Sequence, residues 1–464
     1  MNKLIVSIAI ILMVLSFPAC QQLKPERPEA ETSLPPLQNE LSRINFPVSY
    51  EVKRLEDLIN KKLKGTVHED LSYDNNGGDN LKLVVKRVGR IQLTAKNNVL
   101  KYNLPLNVWL QKKVLGKGKD GYNENKGMDF TVNLFLESSV ALGRSWKLYT
   151  ETKLKKVVWE KDPQLRISFI KVNIRGIVDN FLQKNSGLLT KQIDQAVGNG
   201  VNVKKSIQKV WVDIQKPILI NKKVHKVWLK ADPKEIGIGN IKTKGETLVI
   251  PLSISAFFTT MYGNSPKWKA NKKLPSLKLN SIPPAGFNMV VLAKIPHSEI
   301  NLLLASQLKG KELLIEDNEL IINRVEVFGG GKKLFVRVSI KGDVSGDIYF
   351  QGTPTFDAKE TAFFVDSFEF EVKTQEAVLS MADWLMHDTL KKQIKEALYI
   401  SLEEEVKMLP ELIYNGIEKG KSGKKFSLVV DKMDATVKDI IVTEGDIQVL
   451  LFANGKANLE LEDL

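Results

Sequence analysis

The residues with the chemistry to catalyse or to hold a metal are few and scattered. His68, His225, His297 and His387 show no His-x-His or His-Glu-x-x-His spacing, so the sequence places no two imidazoles on one metal ion. The single cysteine, Cys20, excludes an internal disulfide, a thiolate zinc cluster and a Cys-x-x-Cys redox pair. No Gly-x-Ser-x-Gly elbow is present to carry a nucleophilic serine. Gly116-Lys117-Gly118-Lys119-Asp120-Gly121 satisfies Gly-x-Gly-x-x-Gly, but it lies between two strand-like runs and no helix N-terminus follows to receive a phosphate, so a hairpin loop is expected. Glu403-Glu404-Glu405 opens a helical pattern, where the helix dipole favours negative charge on a solvated face. A non-enzymatic protein without a cofactor is the expectation.

What Cys20 does offer is a modification site. Lys3 and the apolar run Leu4–Leu15 have the form of a secretory signal over residues 1–19, and the run is shorter than the roughly 20 residues of a spanning helix. Leu15-Ser16-Phe17-Pro18-Ala19-Cys20 resembles a bacterial lipobox, with the small Ala19 before the cut; Phe17 and Pro18 depart from the usual pattern. That resemblance implies a diacylglyceryl group on Cys20 and a bacterial envelope lipoprotein, at the outer membrane facing the periplasm or exposed at the surface. Residues 20–41 are rich in Pro, Glu and Gln with little to bury, so a disordered, lipid-anchored tether is expected there.

The elements behind the tether come in two matching series. Val52–Gly65 and His297–Gly310 are short amphipathic helices that each end in Leu-Lys-Gly, with Leu55, Leu58, Ile59 and Leu63 at the places of Ile300, Leu303, Leu304 and Leu308. Lys86-Arg87-Val88 matches Asn323-Arg324-Val325, and alternating strands follow in both series. Each then switches to helical period, through Ile177, Val178, Phe181 and Leu182 in one and Val378, Leu379, Leu385 and Met386 in the other, and a second helix follows at 203–214 and 402–417. Thr243-Lys244-Gly245-Glu246 and Thr443-Glu444-Gly445-Asp446 form equivalent hairpins. Residues 42–262 and 287–464 are therefore expected to be two copies of one unit, joined by a basic, Pro-containing, exposed connector at 263–286. The fold class is α+β, with a curved antiparallel sheet wrapped around long amphipathic helices in each copy.

A Leu-Lys-Gly-ended helix, antiparallel strands, Thr353-Pro354-Thr355-Phe356-Asp357 ahead of Phe363–Val372, and then a long helix resemble the tubular lipid-binding superfamily. That superfamily includes the bactericidal permeability-increasing protein and the synaptotagmin-like mitochondrial lipid-binding domains. The mature chain is also similar to a two-copy bacterial lipoprotein family known as a domain of unknown function. The resemblance implies a tubular fold and a lipid or other acyl-chain ligand between helix and sheet, bound or shuttled without chemistry.

On that expectation the lining is Leu104, Leu106, Val108, Leu134 and Leu136 facing Phe181 and Leu182 in the first unit. In the second it is Val336, Val338, Phe350, Phe364 and Phe368 facing Leu385. The alternative for each is ordinary core, and the alternative for the whole is an envelope scaffold or assembly factor with a filled interior and an unidentified protein partner. An apolar tunnel of several hundred Å³ separates the two. Charge adds a second feature: residues 1–289 hold 47 Lys and Arg against 24 Asp and Glu, whereas residues 290–464 hold 21 against 30. In an exported protein the basic half points to an anionic membrane surface rather than nucleic acid, or else the lysines only solvate a sheet. Trp109, Trp146, Trp159, Trp211, Trp228 and Trp268 lie in that half, either as interfacial anchors or as core.

Overall fold

The computed structural model describes residues 21–32, 34–74, 80–113, 127–160, 165–167, 170–172, 174–200, 203–221, 226–279, 282–283, 285–404, 407 and 426–461. Cys20, the Gly116–Gly121 loop, His225 and most of the helix expected at 402–417 lie outside them. The first half runs β1 (Gln21–Leu23), β2 (Ser42–Glu51), α1 (Val52–Lys62), β3 (Thr66–Asp70), β4 (Leu81–Arg87), β5 (Gln92–Lys96), β6 (Val99–Lys112), β7 (Met128–Leu142) and β8 (Leu148–Trp159). It continues through β9 (Leu165–Ile167), β10 (Ile170–Val172), α2 (Ile174–Gly200), α3 (Val203–Asp213), β11 (Ile218–Asn221), β12 (Val227–Ile238), β13 (Lys242–Lys244) and β14 (Thr247–Tyr262). The second half runs β15 (Lys278–Leu279), β16 (Gly286–Pro296), α4 (His297–Leu308), β17 (Glu312–Ile315), β18 (Asn318–Gly330), β19 (Lys333–Gly342), β20 (Val344–Asp357) and β21 (Ala362–Phe370). It closes with α5 (Val372–Met381), a 3₁₀ turn (Asp383–Met386), α6 (Asp388–Ala397), β22 (Ile400–Ser401), β23 (Phe426–Val442) and β24 (Asp446–Leu461).

Among the described residues, curled and predominantly antiparallel sheets organise these elements. One has the order β3-β4-β6-β7-β8 with β5 on β6, and another has β17-β18-β19-β20-β21-β22 with β1 on β20. Between them a sheet ordered β11-β12-β14-β2-β16-β24-β23 combines strands from both halves. The alternation in β6 shows why the first sheet has one dry face: Tyr102, Leu104, Leu106, Val108 and Leu110 are buried, and the residues between them are only half-buried. The dry face is covered by α2, whose buried stripe Ile174, Val178, Leu182, Leu189, Ile193 and Val197 follows helical spacing. A second, separate core forms in the other half around Val336, Val338, Ile348 and Phe350, with Leu385, Leu390 and Ile394 packed over them. The two halves also share a local detail. The Val52 N–H that opens α1 donates to Glu246 O at 3.0 Å, and the His297 N–H that opens α4 donates to Gly445 O at 3.0 Å, so each short helix starts against the expected hairpin.

Several expectations are corrected. The long helix exists in the first half, but its counterpart in the second is broken at Ala382. There the Asp383 carboxylate accepts from the Trp384 N–H at 3.0 Å, a local bond that competes with helix continuation. The described residues of 21–41 are not a free tether: they lie along the second half as far as the shared central sheet, and Leu23 is buried in the second core. The connector is exposed over most of its described residues, as expected, but it is held to the first half at several points. Leu277 enters the first core, Gln208 donates to Lys272 O at 2.7 Å, and Trp146 donates to Pro275 O at 3.2 Å. Trp146 and Trp211 are buried, which makes them core, whereas Trp268 on the connector is 40% exposed.

Candidate ligand-binding site in the first unit

The space in the first unit is created where two helices converge on the sheet. The first is α1, fixed by its apolar stripe Val52, Leu55 and Ile59 and by two polar clamps. Asn60 donates to Ile91 O at 2.8 Å and accepts from Ile91 N–H at 2.9 Å, which copies a strand pairing with a side-chain amide. Its Oδ1 also accepts from the Arg87 guanidinium at 3.1 Å, so Arg87 is held in place beside the helix end. In the second clamp, Glu56 is buried and accepts from Lys53 at 2.7 Å, Arg90 at 2.8 Å and the Leu93 N–H at 3.1 Å. Burial alone would raise its carboxyl, but the Lys53, Arg90 and Leu93 bonds outweigh it and hold the group below its ordinary range.

The second helix, α2, is pinned to β8 through Asp194. Thr150 and Thr152 each donate a hydroxyl to Asp194 Oδ1 at 2.6 Å. Behind them Ser138 Oγ lies 2.5 Å from Thr152 Oγ1 and 3.1 Å from the Tyr102 phenol, whose ionisation burial pushes far upward. This buried chain fixes the register of α2 at the residues that border the cavity. Replacing Asp194 with Ala leaves two threonine hydroxyls without their acceptor, and a loss of about 1–3 kcal/mol is expected. A lower denaturant midpoint would check it, with Asp194→Asn, which keeps an acceptor, losing less.

Between the C-terminal ends of α1 and α2 and the edge strand β3 with its neighbour β4 lies a cavity of about 410 Å³. Leu63, Val67, Leu104, Leu189, Ile193 and Ala196 form its apolar part. Lys62, Lys64, Arg87, Gln192, Gln195 and Asn199 form its polar part, with no carboxylate among them. Lys62 and Lys64 are exposed, and neither meets a carboxylate among the described residues. The volume falls within the range of small-molecule sites, and a lining that combines apolar side chains with cations and no carboxylate suits an amphiphile with an anionic head. Along α2 the cavity adjoins a crevice of only about 10 Å³ that shares Val67 and Leu189 with it and is bounded by Phe181, Leu182 and His68. That is scarcely room for one water, so the crevice is closed, with the His68 and Phe181 rings 4.9 Å apart.

The expected lining residues divide accordingly. Leu104 borders the cavity, and Phe181 and Leu182 border the crevice, while Leu106, Val108, Leu134 and Leu136 are first-unit core at 0–1% exposure. Val336, Val338, Phe350, Phe368 and Leu385 are core of the second unit, with the Phe350 ring centroid 5.1 Å from that of Phe368. Phe364 stands outside that core. The register of β20 on β21 shifts between Gln351 and Thr353, and Ser367 takes a positive φ of 51°, so Phe363 and Val365 turn inward in its place. The polar part of the lining was missed because Lys62, Arg87 and Gln192 are distant in sequence and meet only in the fold.

Over residues 40–461 the sequence matches a family described as "Domain of unknown function (DUF4403)". No curated protein matches it. Among solved structures, one titled "Crystal structure of lipopolysaccharide binding protein" aligns at 8% identity over 91% of this chain and 99% of its own, with a TM-score of 0.31.

Proposed function

The chain belongs to the DUF4403 family, and from that unassigned starting point we propose that it binds one acyl-chain amphiphile in the first unit without chemistry, as an anchored protein of the bacterial envelope. The observation that carries the reading is the cavity of about 410 Å³, whose lining combines apolar side chains with Lys62, Lys64 and Arg87 and includes no carboxylate. Affinity comes from burying the chain, at about 0.8 kcal/mol per CH₂, and the head stays at the edge with Lys62, Lys64 and Arg87. The duplication belongs to the same reading. On it both halves are copies of one tubular design, and the described residues of the second form a packed core around Val336, Val338 and Phe350, which assigns that half a structural and contact role. That packing is what favours the scaffold alternative for this half of the molecule.

The test uses the full chain. Protein incubated with phosphatidylglycerol vesicles and then separated from them is expected to keep one lipid per chain, with less retained from phosphatidylcholine. Protein that retains none from either source, and carries none from its host, is a scaffold with a filled interior.

A further inference from the structure

The segment directly after position 20 is built into the second unit at several separate places. β1 pairs in parallel with the first residues of β20, Gln21 with Val344, Gln22 with Ser345 and Leu23 with Gly346. Leu23 is 1% exposed in the second core. Gly346, at φ 142°, admits this approach, since a Cβ there would stand 2.1 Å from Leu23 O. Gly330 does the same for the next stretch, where a Cβ would stand 2.1 Å from Glu31 O. Between these points the Arg27 guanidinium lies 4.3 Å above the Phe328 ring, and Glu26 pairs with Lys373. Farther on, Lys333 meets Glu31 at 3.3 Å, the Leu37 N–H donates to Gln448 Oε1 at 3.0 Å, and Asn39 donates to Phe258 O at 3.0 Å.

These contacts have an order in space. β1 meets β20 just after the β19–β20 turn, Glu31 lies at the β18–β19 turn at the other end of the same strands, and Leu37 and Asn39 lie on the shared central sheet. The segment therefore runs the length of the second sheet, from its outer end to the middle of the molecule.

We infer that residues 21–41 are a docked strap that holds the anchored bilayer at the outer end of the second unit, by the β17–β18 and β19–β20 turns, and turns the first-unit cavity away from it. The inference rests on lipidation at Cys20. A chain spans at most about 3.6 Å per residue, so a lipid at position 20 is kept within about 11 Å of Leu23, whereas a free stretch to residue 41 would reach some 75 Å. Residues 290–464 hold 21 Lys and Arg against 30 Asp and Glu, so charge alone would turn the basic half toward an anionic bilayer; the strap sets the orientation against that pull and leaves the basic half for a second anionic surface.

The lipidated full chain in vesicles tests this with a dye on Asp317→Cys, in the exposed β17–β18 turn, or on Lys191→Cys, exposed on α2 beside the cavity. With spin-labelled lipid in the anchoring bilayer, quenching is expected at position 317 and not at 191. A long Gly-Ser linker inserted between residues 20 and 21 leaves every folded contact in place and is expected to abolish quenching at 317 while the protein stays membrane-bound. Equal quenching at the two positions, or quenching at 317 that survives the linker, overturns the strap. The anchor is tested apart from it: Cys20→Ala is expected to leave the membrane fraction, and its retention there after high-salt washing contradicts lipidation. In that released chain, docking still predicts resistance of Glu29 and Glu31 to a glutamyl endopeptidase, and rapid cleavage there refutes it whatever the anchor.

Discussion

A tryptophan at position 196 is expected to empty the first unit of ligand, lowering lipid capture by more than about tenfold, the equivalent of 1.4 kcal/mol, while the fold survives. Ala196 is 7% exposed on α2 and borders the cavity, so an indole there occupies the acyl-chain space without burying a charge. Overpacking a filled core costs about 1–3 kcal/mol, but here the added volume enters open space and the cost should fall at the low end. Lipid retained after exposure to phosphatidylglycerol vesicles and the thermal midpoint are measured on the same sample. Loss of lipid with a near wild-type midpoint supports the site. A variant that melts normally and still captures lipid places the ligand elsewhere.

The largest stability effect is expected in the other unit. Phe350 is 0% exposed, and its ring lies 5.1 Å from Phe368 and 4.6 Å from Phe370, so Phe350→Ala removes the centre of an aromatic cluster. A cost of about 3–5 kcal/mol follows from the lost transfer energy and the cavity left behind. Denaturant unfolding is expected to show the second unit melting earlier. Under native conditions lipid capture should be unchanged, because the two cores are separate and the cavity is lined by residues of the first half. A parallel loss of capture would mean that the second unit takes part in binding.

Local patterns carried much of this architecture. The period-2 run Tyr102, Leu104, Leu106, Val108 and the helical stripe through Val178 and Leu182 point to a one-faced sheet under a helix, and that is the packing observed. The helices at Val52 and His297 start as their spacing indicated. Features set by distant partners were not legible. A Pro- and Glu-rich segment has the composition of a tether, and nothing within residues 21–41 tells that Gly330 and Gly346 leave room for its backbone. The inward face of β21 was misassigned at Phe364 because an irregularity near Ser367 shifts the alternation by one residue. The cavity edge escaped for a related reason. Lys62, Arg87 and Gln192 are unremarkable singly, and their convergence depends on Asn60 and Asp194 fixing two helices on one sheet.

The central claim is that an acyl chain lies between α2 and the β3–β4 edge of the first unit. Its most direct measurement is a crystal structure of the full chain with a fatty acid brominated along its chain, read from the anomalous signal. Bromine is predicted beside Leu104, Ile193 and Ala196, with the carboxylate toward Lys62 and Arg87. A signal in the second core, on the outer surface or nowhere in the molecule would contradict the account.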